Sequence, residues 1–550
     1  MYRNSKHTIL FPLILAAGIV LGILFGQFVG RNRAESQLRT LMSRSGLQTT
    51  NKIMQTCALI EHQFVDSISM DSLSELVIPL MMQELDPHSV YIPARQMQAV
   101  NEPLEGEFDG IGVSFNAATD TVLVLSVIPN GPSAKAGLAA GDRIIKVNDT
   151  LVSGVKMAQD DIVKRLRGPR GTEVKLSLER RGIEDLVDVT VVRDAIPIKS
   201  IESAFMVTPD IAFIRLSQFA RTSHTELMEA LQRLRGEGMT KLIFDLRGNS
   251  GGYMDQAILI ANEFLPEGEL IVYTEDRNKH QIKEFSDGRG TATDIALAVL
   301  IDEGSASSSE ILAGAVQDND RGTIIGRRSF GKGLVQQQLG FPDGSMIRLT
   351  IARYYTPSGR CIQKPFTAGD TKDYESDIVT RYEHGEFFSQ DSIKHQGPAY
   401  HTGIGRTVYG GGGITPDIFV PEDTLGMTSY YKQAAISGLI LQFAFTYTDN
   451  NRPKLNTFRD MMAMSKYLVQ QNTVEKFAAY ADKNGLKRRN LMIRKSHKLL
   501  EKSINSRIIY NIMNDEAWTA YLNLDDPTIE RALVVFKNHA AFPKKPGIKK

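Results

Sequence analysis

The sequence predicts an α+β, multidomain chain, and three observations predict it. At roughly 100–200 residues per domain, 550 residues correspond to about three or four domains. Between Phe108 and Asp194 the chain is a series of short β runs separated by Gly/Pro turns, whereas residues 196–425 alternate apolar strands with helical stretches. Before and after these two regions, apolar residues recur at helical spacing. Composition narrows the function classes. The 64 Lys+Arg against 63 Asp+Glu leave a net charge of +1, which excludes a protein that coats nucleic acid with its whole surface. An apolar fraction of 42% is ordinary for globular domains and too low for a polytopic membrane protein. The two cysteines, Cys57 and Cys361, form no Cys-x-x-Cys pair, and no His-Glu-x-x-His is present, so neither a disulfide scaffold nor a legible zinc site is expected.

Taken in order, residues 1–7 form a short N-terminus and residues 8–30 an uncharged run of 23, Thr8 to Gly30. As a helix that run would span roughly 35 Å, enough for a bilayer core. A cleaved signal peptide competes with an anchor, but its apolar part usually has about 7–15 residues and ends at an Ala-x-Ala-like site. None follows Gly30, so an uncleaved anchor is the preferred reading. Arg3 and Lys6 nearly balance Arg31 and Arg33, and a large C-terminal body can still be translocated, so an extracytoplasmic body is expected.

Residues 31–100 read as a helical region, with apolar spacing from Ile53 to Val65 and from Ser74 to Leu85, broken by Asp86-Pro87-His88-Ser89. Residues 101–195 read as a small β domain with one helical stretch near Gln159–Arg167. Residues 196–425 read as a sheet layered with helices, and the polar segment 365–400 as a loop insertion. Residues 426–550 turn helical again and carry a basic stretch from Lys483 to Arg507 relieved only by Glu501.

Within the α/β region, Val299–Gln338 carries the densest chemistry. A buried strand ends near Asp302, a small-residue turn follows, and a helix starts near Ser308. A Ser at such a junction sits at the positive end of a helix dipole beside N–H groups that lack intrahelical partners, and such groups stabilise an oxyanion. Ser305, Ser307, Ser308 and Ser309 are equally the residues that cap helices and fill turns. Lys332, between glycines in Phe330-Gly331-Lys332-Gly333, supplies a base for a Ser hydroxyl once desolvation lowers its pKa. Gln336, four residues on in an extended strand, shares its face and is placed to orient the amine. Asp318, 11 positions or about three helical turns after Ser307, falls on the same helix face, to polarise the site or support packing.

The segment Gly326–Gly333 nearly spells a phosphate-binding loop. It fails because Gly333 stands where Ser or Thr would hold Mg²⁺ and because a strand, not a helix, follows. Upstream, Leu242–Gly252 is a strand ending in a Gly-rich turn, where Gly251 and Gly252 permit close backbone approach and an N–H that, with that of Ser308, makes a two-donor oxyanion hole. In the β domain, Gly110-Ile111-Gly112-Val113 opens a strand whose N–H groups suit a C-terminal carboxylate while the strand edge pairs with a peptide. A rigid β spacer is the plainer alternative.

Together these residues resemble the C-terminal processing peptidases, or tail-specific proteases. The matching pieces are GIGV and GPSAKAGLAAGDRI of a PDZ domain, DLRGNSGG, GSASSSEILAGAVQD, GRRSFGKGLVQ, RYYTPSGRCIQ and GGITPDIFV, in order over roughly residues 85–425. The resemblance implies a serine endopeptidase with a Ser/Lys dyad that cuts proteins recognised by apolar C-terminal ends. Carried over residue by residue, it implies Ser307 as nucleophile, Lys332 as general base, Gln336 as its orienting partner, and the N–H groups of Gly252 (or Gly251) and Ser308 as the oxyanion hole. Gly110, Ile111, Gly112 and Val113 would bind the peptide C-terminus. No metal and no cofactor are implied. Position 308 is Ser where the family usually has Ala, a change expected to be tolerated. The partners expected are protein substrates and, through the anchor, the membrane on the periplasmic side of a cell envelope; self-association into a homo-oligomer is left open and no nucleic-acid partner is expected. Two rivals stand beside this reading. One is a non-peptidase binding or adaptor protein, as in retinoid-binding relatives of the fold; the other makes the basic tail a nucleic-acid site.

Overall fold

A computed structural model describes residues 52–117, 120–395 and 397–538. The uncharged run 8–30 lies outside them. Among the described residues no helix is long and apolar enough to cross a membrane. Two helices, Lys52–Gln63 and Met70–Gln83, open the described chain. The break at Asp86-Pro87-His88-Ser89 is real in the structure, but it leads into a short strand, Val90–Ile92, and a helix, Met97–Glu105, rather than into the β domain directly.

The β domain enters and leaves through a two-stranded stem in which Glu107–Gly110 pairs antiparallel with Asp194–Pro197. Its sheet has the order Val113–Asn116, Val122–Val127, Arg143–Val147, Glu173–Glu179, Val187–Val192, so Val113–Asn116 is an edge strand. Apolar residues alternate inward along these strands (Val174, Leu176 and Leu178, for example) and pack on Ile162 and Leu166 of the helix Gln159–Leu166.

The central sheet explains the strand–helix alternation. Its order is Ile201–Met206, Ile211–Leu216, Lys241–Asp245, Ala296–Ile301, Thr323–Gly326, Ile418–Phe419; every pairing but the first is parallel. The inner strands bury both faces. Leu242, Phe244, Leu297 and Val299 face the helices Ser223–Gly236, Met254–Phe264 and Ser308–Asp318, while Phe213, Ile243, Ala298, Leu300 and Ile325 face the opposite way. That second face is covered by the last described helix, Pro527–Lys537, through Ile529, Ala532, Val535 and Phe536. Its N-cap, Asp526, accepts from Thr528 and Ile529 N–H and also from Arg247 Nη1 at 2.9 Å. The C-terminal region is therefore more than an appended bundle: it supplies one wall of the central core. Its other helices pack around Phe443, Phe477, Leu500 and Ile504, and Arg143 of the β domain reaches Asp449 at 2.5 Å.

A second sheet runs Val90–Ile92, Met346–Tyr355, Leu270–Asp276, Gln281–Phe285, with Leu334–Gly340 paired on Met346–Tyr355. The polar segment 365–400, expected to be a loop, contains the helix Thr371–Glu383 and the short strand Ala399–His401. The helix escapes a hydropathy reading because its buried residues are Tyr374 and Arg381, the latter paired with Glu386, instead of an aliphatic stripe.

Phe536 is 1% exposed beneath the sheet, so Phe536→Ala is expected to destabilise the protein by about 3–5 kcal/mol. A denaturation midpoint unchanged from wild type would remove this helix from the core.

Candidate active site

The parallel strands Lys241–Asp245 and Ala296–Ile301 end side by side, and both loops of the candidate site leave from their carboxyl ends. The first loop is held by Asn249, which is fully buried. Its Nδ2 donates to the Leu216 carbonyl and its Oδ1 accepts from Gly251 N–H, both at 2.9 Å. Gly251 and Gly252 have φ of +104° and +148°. A Cβ on Gly252 would lie 2.1 Å from the Phe219 carbonyl oxygen and one on Gly251 2.8 Å from Ser307 Cβ, so neither position accepts a side chain.

The second loop turns sharply at Ser307, whose φ of +55° and ψ of −114° are sparsely populated for a non-glycine residue. The three serines around it brace the first loop: Ser305 Oγ donates to Leu246 O at 2.8 Å, Ser308 Oγ to Gly252 O at 3.0 Å, and Ser309 Oγ to Asn249 O at 2.8 Å. Ser307 lines the cleft of about 750 Å³ that opens between the loops. The hydroxyl at position 308 thus joins the two loops whose N–H groups are the oxyanion candidates. Gly251 N–H is already committed to Asn249. Ser308 is the first residue of its helix, where an N–H has no intrahelical acceptor.

Lys332 lines the same cleft, and its Nζ donates to Gln336 Oε1 at 3.0 Å. Gln336 Nε2 in turn donates to the His88 carbonyl. The amide is oriented from both ends. Burial pushes the Lys332 ammonium down from 10.5 to about 8; the Arg348 guanidinium acts in the same direction, while Asp86 and Glu310 oppose it. His88, also in the cleft, is pushed down to about 4 by burial and by the Lys332 charge, and its Nε2 lies 2.8 Å from the Tyr374 hydroxyl.

Two groups that sequence reasoning did not single out tie the Ser307 turn to the segment that carries Lys332. Glu310 is fully buried; Oε2 accepts from Ser307 N–H and Lys332 N–H at 2.9 Å each, and Oε1 from Gly331 N–H at 2.7 Å and Ser329 Oγ at 2.5 Å. Burial raises its carboxyl to about 7, with all four donors working against that rise. The Tyr354 hydroxyl lies 3.1 Å from the Ser307 carbonyl oxygen and is also hydrogen-bonded to that of Lys332. Its single proton serves one at a time. The Ser-x-x-Glu spacing of Ser307 and Glu310 is a capping-box pattern, a local signal for Glu310; no local pattern marks Tyr354.

Asp318 lies three turns along the helix, outside the cleft lining. It is paired with Arg360 at 2.7 Å, both side chains fully buried, and accepts from Ser358 Oγ at 2.6 Å. In the β domain, Gly110 ends the stem strand and Val113 starts the edge strand. The carbonyls of Ile111 and Gly112 accept from Ser133 and Ile128 N–H at 3.0 Å each, which fixes the turn from inside.

Against known proteins, residues 210–376 match the description Peptidase family S41, residues 110–191 a PDZ domain, and residues 430–514 a family of unknown function, DUF8443. The Carboxy-terminal-processing protease of Bartonella bacilliformis is 39% identical over 309 residues, covering 55% of this chain and 70% of that protein. A "Probable CtpA-like serine protease" of Staphylococcus aureus is 34% identical over 343 residues, covering 60% and 68%. A solved structure titled photosystem II D1 C-terminal processing protease overlaps 68% of this chain and 87% of its own at 24% identity, with a TM-score of 0.36. The chain belongs to peptidase family S41 and is a PDZ-containing C-terminal processing peptidase, a serine-type hydrolase.

Glu310→Gln turns an NH₂ group toward two donors that the carboxylate accepts. It is expected to cost about 1–3 kcal/mol of stability and to lower kcat. Denaturation and peptide cleavage read side by side test this; wild-type values in both would show that the four contacts do not hold the Ser307 turn to the Lys332 segment.

Proposed function

We propose that Ser307 is the nucleophile and Lys332 the general base of this peptidase. In this reading the neutral Lys332 amine takes the Ser307 Oγ proton as Oγ attacks the scissile carbonyl. The N–H groups of Gly252 and Ser308 stabilise the oxyanion, Gly252 being favoured over Gly251 because the latter's N–H is engaged by Asn249. The Lys332 ammonium then protonates the leaving amine, the C–N bond breaks, and the acyl group remains on Ser307 Oγ. Water, deprotonated by Lys332, releases it. Gln336 orients the amine throughout. Asp318, paired with Arg360, acts through packing.

The observation that carries the reading is the cleft shared by Ser307 and Lys332, whose lining includes no carboxylate; burial of the amine there outweighs the pull of Asp86 and Glu310. With a pKa of about 8, about a tenth of Lys332 is neutral at pH 7, against well under a hundredth for an ordinary lysine at 10.5. Residues 101–195 act as the substrate-recognition domain. An apolar protein C-terminus would add alongside the edge strand Val113–Asn116 with its carboxylate at the Gly110–Val113 turn. Residues 196–425 form the peptidase core and residues 426–550 a helical domain that supports it. Residues 8–30 anchor the chain in a membrane, with the body on the outer, periplasmic side of a cell envelope, and self-association of anchored copies is compatible with this arrangement.

Ser307→Ala and Lys332→Ala are each expected to abolish cleavage of an unfolded protein with an apolar C-terminus while leaving the thermal melt near wild type. Retained turnover in either would refute the dyad. Because the working form of Lys332 is unprotonated, kcat/KM is expected to rise with pH through about 8, not through 10.5. A pH-rate profile flat between 6 and 9, in roughly that interval, would place the base elsewhere.

A further inference from the structure

Of the two cationic side chains lining the cleft, Lys332 and Arg348, the Arg348 guanidinium is the one that the hydrolytic reading leaves without a task. Arg348 stands on the strand Met346–Tyr355, opposite Val90 on one side and Gln338 on the other, and lines the cleft. Its Nη2 is buried without a hydrogen-bond partner among the described residues. A buried, charged donor left unpaired is costly, and native structures rarely keep one without a use for it.

Three carboxylates whose partners stand at the cleft, Asp86, Glu105 and Glu310, are already committed. Asp86 accepts from His88 and Ser89 N–H at 2.8 and 2.9 Å, from Ser89 Oγ at 2.5 Å and from Thr350 Oγ1 at 3.1 Å. Glu105 is held by Arg221 at 2.7 Å and by the Tyr253 hydroxyl at 2.8 Å, and Glu310 carries its four donors. The remaining polar neighbours do not neutralise Arg348: Tyr253 is a phenol, and Lys332 is a second cation in the same cleft. The cleft thus presents two cations and, among its lining residues, no anion.

We propose that Arg348 is a carboxylate-binding subsite of the peptide cleft, selecting substrate chains that bring a carboxylate within its reach, from an acidic side chain or a free chain end. A guanidinium offers paired N–H donors that match a carboxylate in geometry as well as charge. The subsite is separate from the Gly110–Val113 turn, which has only backbone donors to offer. Such an occupant would also offset the cation that pushes on Lys332, coupling substrate choice to the base. The proposal rests on the reading of this cleft as the one that binds the scissile segment.

Binding of peptides to the full-length Ser307→Ala variant, followed by fluorescence anisotropy, tests it without relying on turnover. One set is C-terminally amidated and carries a single Glu, or Gln in its place, moved through successive positions; a second has no acidic side chain and ends in a free acid or an amide. Expected is a preference of about tenfold for the carboxylate member of one set, erased by adding Arg348→Gln and kept in part by Arg348→Lys. An Arg348-dependent preference in the first set identifies an acidic side chain, and one in the second a chain end. Equal binding of carboxylate and amide members in both sets, or a preference that survives Arg348→Gln, overturns the proposal. Failure of the dyad reading is distinct, since it would appear as cleavage by Ser307→Ala itself.

Discussion

The buried carboxyl group of Glu310 is the interaction on which the rest of the site depends. It sits in the first turn of the helix Ser308–Asp318, where the helix dipole favours negative charge. Its two oxygens accept two donors each, from Ser307, Ser329, Gly331 and Lys332. Two chain segments separated by more than twenty residues are thereby held to one rigid anchor. The strained backbone at Ser307 needs such an anchor, because conformations of this kind cost of order 1–3 kcal/mol and persist only where the surroundings over-determine them. Tyr354, bonded to the carbonyls of Ser307 and Lys332, repeats the connection from the second sheet.

Around that anchor the fold works as a stack of supports. The parallel strands deliver both loops at their carboxyl ends, where helix N-termini and strand ends leave backbone donors facing a crevice. Beneath them, Asp245 is fully buried and binds Arg247 twice, while Arg247 reaches Asp526 at the head of the last described helix. That helix also closes the second face of the sheet. A region that reads as a separate basic, helical tail is thereby joined to the Gly-rich loop of the site by an ion pair across 279 residues of sequence.

Much of this architecture was legible in the residues. The strands of the β domain and of the central sheet are marked by apolar runs between turns, and the helices between them by their spacing, because both periodicities are local. The helix Thr371–Glu383 was not legible, since it buries a tyrosine and an ion-paired arginine and leaves no aliphatic stripe to count. Within the site, the meeting of Lys332 and Gln336 spans only four residues, although Lys332 stands just before the strand Leu334–Gly340 and not on it. The meeting of His88 with Gln336 spans 248 residues and has no local signature.

By itself the sequence determined the order of elements, the Gly-rich and Ser-rich turns at strand ends, the Lys between glycines, and the resemblance that ties these to a peptidase family. Each is a property of neighbouring residues. Only the tertiary structure decided which serine hydroxyls are spent on bracing the loops, which glycine N–H is already engaged, how Glu310 and Tyr354 bind the Ser307 turn to the Lys332 segment, and that Arg348 Nη2 has no partner among the described residues. Those are outcomes of competition among donors and acceptors brought together from distant parts of the chain, where burial makes every pairing consequential and every unpaired group costly.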